Sequence, residues 1–474
     1  MNILIEKKHI YDVVIIGAGP VGLAIANGLF KRGIDNLIVL EKAREFKKVG
    51  SGVDLLPNGL KSLKFINSKV YEKVKTIGRT KSGNWNHVDL DGNILKSMSQ
   101  NFDDWLTKYG EGRVSIGWYD LQTCLRNCLP LEKILVNHYC TNFSEEKNYD
   151  YLRIETESNL NTEKNPYAYW RDYSIDEGDK NNESFKKTFL SRVIIGADGI
   201  NSVIRKILLN NSELESSYKK PEYSGFSGLF FTKSNPLNFG LSKEIKERFL
   251  KNASIITVRS NIDINCSKPI EEPRMLLYEA NEKNTFGCAI QGAFKKELVL
   301  EKNGKDLIDA AKIALKNADF PDCLINIVES TPPEFIQKIM YYTHRAIISK
   351  DLLLPNTTDL LEKQLETQIK PSWFGNRVEL AGDAAHRMPP FSGQGTNQGF
   401  EDAAVLTRLI NEIKDRLSEK ETIKSAFEKY DQLRRPALVK LQQVTFGKYS
   451  YYSDKQLEEY NQNMYGRSIN TILH

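Results

Sequence analysis

The 474-residue sequence has no apolar run of about 18 residues, no dense block of basic residues and no Cys-x-x-Cys pair. The first absence argues against a transmembrane segment, and the second argues against nucleic-acid binding, since the net charge is only +5. The scattered cysteines indicate no metal site and no redox disulfide, and they predict reduced thiols and a cytoplasmic location. The N-terminus lacks a signal-peptide layout, because acids and lysines interrupt its apolar part.

The chain begins with a β-α-β pattern. IYDVVII (10–16) is a short, continuously apolar run, typical of a strand covered on both faces. GAGPVG then supplies Gly17 for a tight turn, Gly19 for the approach of a pyrophosphate, and Gly22 for close packing of helix and strand. The second strand, NLIVLE, ends at Glu41, where an acid binds ribose hydroxyls. The pattern predicts a dinucleotide site, and Glu41 favours the unphosphorylated adenosine ribose of FAD or NAD.

No second GxGxxG motif occurs. The remaining glycine pairs, Gly50/Gly52, Gly110/Gly112 and Gly393/Gly395, all lack the third glycine. We therefore expect one dinucleotide-binding fold. Disulfide reductases, and oxygenases with separate FAD and NADPH domains, would need two.

Two later segments also place acids at strand ends. GADGINSVIR (196–205) carries Asp198, although a structural turn is the more common meaning of such a segment alone. GDAAHRMPPFSGQGTNQG (382–399) carries Asp383, then a rigid proline pair, then a helix start with bare glycines. Exposed N–H groups at a helix start attract an anion or an electron-rich ring. The second segment fits an extended ligand with a polyol arm and a ring that gains negative charge, such as a reduced flavin.

Together and in this order, the three segments resemble the single-component (group A) FAD monooxygenases, the para-hydroxybenzoate hydroxylase-like aromatic hydroxylases. VGSGVDLLPNGLKSL (49–63) and KYDQLRRPALVK (429–440) also resemble that family, so the match covers most of the chain outside 142–188 and 230–370. The implied fold class is α/β: a Rossmann-like FAD-binding domain, an antiparallel β-sheet substrate domain and a C-terminal helical segment.

The expected domain limits follow the same division. We assign 1–80, 112–222 and 371–412 to the FAD-binding domain, with 142–188 as a polar insertion carried by a β-hairpin. Residues 81–111 and 223–370 form the substrate domain, and 413–474 form a helical tail. In 223–345 we expect an antiparallel sheet interrupted by one helix, LIDAAKIALKN.

The resemblance also implies roles for individual residues. The glycine turn holds the FAD pyrophosphate, Glu41 the adenosine ribose and Asp383 the ribityl chain, while Asp198 takes part in flavin and nicotinamide binding, with Arg205 a weaker candidate. Pro390 and Gly393 line the flavin ring at the catalytic position, and no acid or base acting on the substrate is identified. The full expected cofactor-binding set is Gly17, Gly19, Pro20, Val21, Gly22, Glu41, Lys42, Arg44, Gly52, Trp118, Asp198, Arg205, Gly382, Asp383, Pro390, Gly393, Gln394, Gly395, Thr396 and Asn397.

One position departs from the family pattern. Many relatives carry an arginine near the flavin phosphate and ribityl region where IGWYDLQTCL has Trp118. Tryptophan has one donor and no charge, so either flavin binding differs or another basic residue, Arg44 or Arg113, compensates.

Other candidates have ordinary structural interpretations. His386 is expected to be a satisfied structural histidine, and His344 is a weak candidate for a place near the substrate. Tyr223, Phe226 and Phe230 are either pocket walls or core residues.

The resemblance implies an enzyme that uses NADH or NADPH, FAD and O2 to hydroxylate an aromatic ring or epoxidise an alkene in a small organic substrate through a flavin C4a-hydroperoxide. A flavin halogenase or reductase on the same scaffold is an alternative. No tryptophan has another two residues away, which disfavours the WxWxIP stretch of a halogenase. A non-catalytic FAD-binding partner protein, with 142–188 as its interaction segment, is the other alternative. The substrate, the nicotinamide and the oligomeric state stay open.

Overall fold

The computed structural model describes most of the chain. The described residues are 9–48, 52–79, 83–146, 149–159, 184–210, 220–231, 243–251, 253–260, 273–279, 286–293, 296–346, 373–445 and 454–474. Their strands are β1 (Ile10–Ile16), β2 (Leu37–Leu40), β3 (Gly52–Leu55), β4 (Asn84–Val88), β5 (Ile94–Ser99), β6 (Val114–Gly117), β7 (Ile134–Leu135), β8 (Tyr139–Glu145), β9 (Leu152–Asn159), β10 (Ser184–Gly196), β11 (Glu222–Phe230), β12 (Ala253–Val258), β13 (Arg274–Glu279), β14 (Phe286–Gly292), β15 (Gln337–Thr343) and β16 (Val378–Leu380).

The helices occur between the strands and dominate the C-terminal part. They are α1 (Pro20–Lys31), α2 (Pro57–Ile66), α3 (Ser68–Ile77), α4 (Phe102–Tyr109), α5 (Trp118–Arg126), α6 (Val203–Asn210), α7 (Lys243–Ile245, followed by a π-helical turn, Lys246–Leu250), α8 (Lys296–Glu301), α9 (Gly304–Asn317), α10 (Asp322–Glu329), α11 (Asp383–His386), α12 (Gly395–Glu412), α13 (Lys420–Thr445), α14 (Asp454–Tyr465) and α15 (Ile469–Leu473). In the described part of the chain, none of these helices is both long and apolar enough to cross a bilayer.

The first sheet contains the predicted β-α-β unit. Its order is β7-β2-β1-β10-β9-β8, and β16 also pairs with β10. Strands β7, β2, β1, β10 and β16 run parallel. All four residues of β2 and the last four of β1 are buried, as expected for strands covered by helices on both faces. Helix α1 ends before Gly33, whose φ is +81°.

The described residues of the region 142–188, expected to be a polar insertion carried by a β-hairpin, form antiparallel strands. Strands β8 and β9 and the first half of β10 form an antiparallel extension of the first sheet. Leu152 and Ile154 are fully buried there, because one face of the extension packs on the core while the other carries the charged residues. The strand that precedes Asp198 therefore begins at Ser184. Residues 160–183 lie outside the described residues.

The second sheet has the order β15-β11-β14-β13-β12-β4-β5. All of its pairs are antiparallel except β4 with β12, which is parallel. Met275 and Leu277 of β13 point into a core shared with Leu307 and Leu324 of α9 and α10. Helices therefore cover one face, and the other is left for the site. The expected single helix is α9, and three further helices, α7, α8 and α10, accompany it because the sheet needs a larger apolar cover.

The C-terminal helices pack on the first sheet's core. Tyr460, Met464, Tyr465 and Leu473 are buried in the same apolar cluster as β1 and α1. The expected tail is thus part of the main body. The predicted α/β class, with a mostly parallel sheet, an antiparallel second sheet and C-terminal helices, is confirmed. The exact domain limits remain predictions.

Candidate functional site

The three glycines of the turn after β1 differ in the space that a side chain would have. Gly17 has a φ of +106°, and a Cβ there would lie 2.4 Å from the Ala197 carbonyl oxygen. A Cβ on Gly22 would lie 2.0 Å from the Gly17 carbonyl oxygen. A Cβ on Gly19 would meet nothing within 4 Å. The protein's own backbone therefore requires Gly17 and Gly22, whereas the space at Gly19, before the N-terminus of α1, suits an approaching phosphate group.

Glu41 holds this turn in place. Its Oε2 accepts a hydrogen bond from the Ala18 N–H at 2.7 Å, and its Oε1 accepts one from the Ala43 N–H at 2.8 Å. Burial raises the pKa of the Glu41 carboxyl, and these two N–H groups act in the opposite direction. Each oxygen keeps a further lone pair, so ribose binding by Glu41 stays a prediction. Lys42 and Arg44 follow it and are half-buried.

Asp198 follows β10 at the same edge of the sheet. Its Oδ2 accepts hydrogen bonds from the Val203 N–H at 2.7 Å and the Ile204 N–H at 3.3 Å, which caps α6. Its Oδ1 is buried and has no hydrogen-bond partner among the described residues. Burial raises the pKa of this carboxyl. A Cβ on Gly17 would lie 2.9 Å from the Asp198 Cα, so the unpartnered oxygen belongs to the site of the glycine turn.

The segment 382–399 contacts the segment of the glycine turn through Val21 of α1. A Cβ on Gly399 would lie 2.4 Å from Val21 Cγ2, and a Cβ on Gly382 would lie 3.0 Å from the same methyl group. Gly382 also has a φ of +60°. The glycines thus let the segment after β16 pack directly on α1. Asp383 begins α11 there and forms an ion pair with Arg387 one turn later.

The start of α12 shows which of the predicted ring-lining residues face outward. Pro390 and Gly393 are exposed, and Gly395 and Thr396 are half-buried. Among the described residues, no atom beyond the chain neighbours and the adjacent helix backbone lies within 4 Å of where a Cβ on Gly395 would be. The first N–H groups of a helix have no partner within it, so this end presents donors to a ligand.

Two residues of the same segment turn inward. Asn397 accepts a hydrogen bond from the Leu56 N–H at 2.9 Å and donates to the Asp54 and Gly393 carbonyl oxygens at 2.9 and 2.8 Å. The Gln394 amide oxygen accepts hydrogen bonds from Asn58 and Gln398, both at 3.0 Å. Both side chains are buried. The side chains of Gln394 and Asn397 therefore bind the residues of β3 and α2, and the lining of a flavin ring at these two positions stays a prediction.

Arg205 is also a positioning residue. Its Nη1 donates to the Ala384 and Ala385 carbonyl oxygens, both at 3.0 Å, and the side chain is 1% exposed. Burial, with a smaller contribution from Arg435, lowers the pKa of Arg205 to about 9. The guanidinium thus joins α11 to α6, and the role of Arg205 as a weaker cofactor contact stays a prediction.

Trp118 lies at the end of a two-stranded ribbon. It begins α5 directly after β6, whose Gly117 pairs with Gly52 of β3. Arg113 of the same ribbon is 3% exposed and forms an ion pair with Asp54 at 3.0 Å. The charge of Arg113 is thus already shared with Asp54, and compensation by Arg44 or by Arg113 stays a prediction.

The two candidate histidines are buried and bonded. His386 Nε2 lies 2.5 Å from Asp402 Oδ2, in line with a structural histidine. His344 Nε2 lies 2.8 Å from the Ile200 carbonyl oxygen. Burial and the neighbouring Arg205 lower the pKa of His344 to about 3, so its ring is neutral.

A buried ion network behind the site was not predicted. Arg434 donates from Nε to Asp402 at 2.8 Å and from Nη1 to Glu401 at 2.5 Å. Arg467 of the C-terminal segment also contacts Glu401 at 2.8 Å. Burial would raise the pKa of Asp402, but His386 and Arg434 outweigh it and hold the pKa well below its usual range. In the sequence, the adjacent acids Glu401 and Asp402 of FEDA and the adjacent arginines of DQLRRP could have indicated this pairing.

The site meets the second sheet at Phe391. Its ring makes edge contacts with Phe226 at 5.3 Å and Tyr341 at 5.5 Å between centroids, and Arg274 Cζ lies 5.7 Å from its centre. Phe226 thus faces the site. The Tyr223 hydroxyl forms a hydrogen bond with the Ser227 hydroxyl at 2.8 Å, and the Phe230 ring lies beside Gly228. Both side chains therefore pack within the second sheet.

Gln442 of α13 fixes this meeting point. Its amide donates to the His344 carbonyl oxygen at 2.7 Å and accepts from the Ala346 N–H at 2.9 Å, just after β15. The Thr343 hydroxyl of β15 donates to the Arg387 carbonyl oxygen at 2.7 Å. The end of the second sheet is therefore bonded to the segment that carries Phe391.

Comparison with known proteins agrees with this geometry. The family model described as "FAD binding domain" matches residues 10–220 and 324–443. The chain belongs to the FAD binding domain family. This confirms the resemblance to the para-hydroxybenzoate hydroxylase-like FAD-dependent monooxygenases, and the chain is an FAD-dependent oxidoreductase. The open space at Gly19, the unpartnered Asp198 oxygen and the open start of α12 all fit FAD.

Named relatives of this FAD-binding protein are distant. It is 21% identical to the FAD-dependent monooxygenase penM of Penicillium crustosum, over 90% of this chain and 76% of that one. It is 22% identical to the 6-hydroxynicotinate 3-monooxygenase of Bordetella bronchiseptica, over 84% and 82%. Among solved structures, a salicylate hydroxylase substrate complex has a TM-score of 0.65 at 18% identity, with 98% and 97% coverage. Klebsiella pneumoniae HpxO, complexed with FAD and uric acid, has a TM-score of 0.58 at 18% identity, with the same coverage.

Proposed function

We propose that this protein is a NAD(P)H-dependent FAD monooxygenase that acts on a small organic substrate. The overall reaction would convert R–H, O2, NAD(P)H and a proton into R–OH, water and NAD(P)+, or an alkene into its epoxide. The observation that carries the proposal is the position of the open α12 start, which lies against the aromatic face of the second sheet at Phe391. A flavin ring bound at the start of α12 would therefore face a substrate bound on the second sheet.

The proposed cofactor contacts follow from the open groups of the site. Gly19 and the N-terminus of α1 would hold the pyrophosphate, and Glu41 the adenosine ribose. Asp198 Oδ1 and Asp383 would accept hydrogen bonds from hydroxyl groups, since Asp383 shares only part of its carboxylate with Arg387. When bound, FAD supplies two-electron transfer from the nicotinamide and the activation of O2.

The chain's own residues would shape the chemistry around the ring. The N–H groups at the start of α12 would stabilise negative charge that develops on the ring edge. Pro390 and Gly393 leave that edge accessible, and Phe391, Phe226 and Tyr341 keep water away from it. His344 and His386 are both buried and bonded, so we assign neither of them as an acid or base acting on the substrate.

The test is anaerobic reduction of the FAD-loaded protein by NADH and by NADPH, with and without pools of phenols, aromatic acids and polyenes. We expect one pool to accelerate reduction, and readmission of O2 to give a product heavier by one oxygen atom. The same reaction with bromide present should give no brominated product. If no combination reduces the flavin, the proposal fails, and a partner reductase or a non-catalytic binding role takes its place. A brominated product would favour a halogenase.

A further inference from the structure

The C-terminal helices pack against the two helices that lie beside the proposed position of the flavin ring. Helix α15 contacts α12 and α2, and α14 contacts α2. Between them, the buried ring of Tyr465 lies 5.3 Å from Trp105 and 5.4 Å from Tyr109, between ring centroids. These aromatic contacts fix the end of α14 against α4. The chain that joins α14 to α15 therefore has a defined place next to α2 and α12.

Lys61 of α2 holds that connecting chain. Its ammonium group donates hydrogen bonds to the carbonyl oxygens of Tyr109 at 2.7 Å, Tyr465 at 2.8 Å and Arg467 at 2.9 Å. A lysine has three N–H donors, so all of them are used on backbone oxygens. The backbone of Arg467 is thus tied to α2, and its side chain is directed from a fixed point.

The Arg467 side chain reaches a buried carboxylate of α12. Its Nη2 lies 2.8 Å from Glu401 Oε1, and Glu401 is fully buried while the arginine side chain is 18% exposed. The same oxygen accepts a hydrogen bond from the Asn58 amide at 2.7 Å, and Asn58 also donates to Gln394 at 3.0 Å. Gln394 is the residue that precedes α12. A continuous set of bonds therefore joins Arg467 to the helix start that presents open N–H groups.

The charges of this buried group depend on Arg467. Among the described residues, the carboxylates of Glu401 and Asp402 share the guanidinium of Arg434, and Asp402 also contacts His386. Arg467 supplies the second guanidinium. Glu401 comes six residues after the first residue of α12, which is about 9 Å along the helix axis. Because water screens buried charges weakly, a carboxylate that lost this partner would still be felt at the start of the helix.

We propose that Arg467 is a positioning residue of the flavin site, which acts through Glu401 and raises the reduction potential of the bound flavin. Transfer of two electrons and one proton from NAD(P)H leaves the ring with one negative charge and releases NAD(P)+. The α12 start favours that charge, and an unbalanced Glu401 behind it would oppose it. This inference rests on the position of the flavin ring in the proposed function and adds the C-terminal segment to that site.

The test is the midpoint potential of the FAD-loaded protein at pH 8. The flavin is reduced slowly with xanthine and xanthine oxidase beside a reference dye, in the absence of nicotinamide and substrate. We expect Arg467→Gln to lower the potential by about 15–30 mV, which for two electrons is a threefold to tenfold change in the ratio of reduced to oxidised flavin. Arg467→Lys keeps the positive charge and should stay close to the wild type.

A second variant tests the sign of the effect. Glu401→Gln removes the negative charge and keeps an acceptor oxygen, so it should raise the potential by a similar amount. A general loosening of the fold would shift both variants in the same direction. Arg416→Gln, at an exposed ion pair with Glu419, makes the same change in net charge as Arg467→Gln and should leave the potential unchanged. The FAD content and melting temperature of each variant verify that it folds.

The inference is overturned if Arg467→Gln keeps the wild-type potential, if Arg467→Lys falls as far, or if Glu401→Gln falls as well. An equal fall in Arg416→Gln would also overturn it, since the effect would then belong to the net charge of the protein. The potential is measured without nicotinamide, so a failure here leaves the proposed monooxygenase intact. Conversely, the expected potentials in a protein that NADH and NADPH do not reduce would keep the role of Arg467 and remove the monooxygenase.

Discussion

The polar side chains beside the start of α12 and those on the second sheet differ in how many partners they have. On the cofactor side, Asn397 makes three hydrogen bonds, and Asp402 binds the Gly382 N–H, His386 and Arg434. On the second sheet, the Arg274 guanidinium lies near the Phe391 ring, and no hydrogen bond or ion pair of its side chain occurs within the described ranges. The difference shows that the protein's own contacts hold the polar groups beside the start of α12 more firmly than this group on the second sheet.

The largest expected effect comes from breaking the ion network that holds the cofactor side. Arg434→Ala removes the guanidinium that pairs with the buried carboxylates of Glu401 and Asp402. Because those charges then lack this partner, we expect the free energy of unfolding to fall by about 3–5 kcal/mol. Urea unfolding of the FAD-loaded variant measures this loss. Arg416→Ala, which breaks an exposed pair with Glu419, should leave the free energy of unfolding almost unchanged. Equal costs for the two variants would show that the cofactor side is not held in this way.

The next prediction separates protein packing from ligand binding within the glycine turn. Gly17→Ala forces a side chain into a φ of +106° and against the Ala197 carbonyl, so the protein itself should lose about 1–3 kcal/mol of stability. Gly19 has a φ of −69° and a ψ of 171°, which any residue adopts, and open space around its Cβ position. Gly19→Ala should therefore leave the FAD-free protein as stable as the wild type.

The two variants are then compared for FAD affinity by flavin fluorescence. We expect Gly19→Ala to weaken FAD binding at least about tenfold, or ~1.4 kcal/mol, since the new methyl group occupies the space meant for the pyrophosphate. Unchanged FAD affinity in Gly19→Ala would place the pyrophosphate elsewhere.

The last prediction concerns His344, which lies where the two sides meet. Its folded pKa of about 3 is below the unfolded value of about 6.5, because burial, Arg205, Arg387 and His386 all disfavour its charge and only the Ile200 carbonyl favours it. The unfolded chain then binds more protons between these values. The contribution of His344 to stability is complete above pH ~6.5 and is lost at about 1.4 kcal/mol per pH unit as the pH falls toward 3.

His344→Gln should remove that loss. Between pH 7 and pH 5 the wild type should lose about 2 kcal/mol more of its unfolding free energy than the variant does. Urea unfolding at both pH values measures the difference. His474→Gln, at an exposed position, serves as the control and should behave as the wild type. Parallel losses in all three proteins would contradict the buried, neutral assignment of His344.

The comparison also explains what the sequence could reveal. The cofactor side is encoded in contiguous segments, GAGPVG, GADG and the stretch from Gly382 to Gly399, each of which directly follows a strand of one sheet. Parallel strands bring their carboxyl ends to the same edge, so the meeting of the segments could be predicted.

The directions of individual side chains in those segments could not be predicted. Asn397 turns inward because of Leu56, and Arg205 turns inward because of Ala384, and both partners are far away in the sequence. Arg113 was offered as a compensating cation, and its ion pair with Asp54 could not be predicted either. On the substrate side, Phe226, Arg274, Gln291 and Tyr341 come singly from four strands, so no motif marks them.

The order of strands in the first sheet has a consequence for synthesis. The central strand β10 pairs with β1, from the beginning of the chain, and with β16, which is translated almost two hundred residues later. Helix α12 and Arg434 come later still. A nascent chain therefore cannot complete this sheet until the residues of β16 have emerged from the ribosome. We accordingly expect the cofactor site, which also needs the segment after β16, to form only after that point in synthesis.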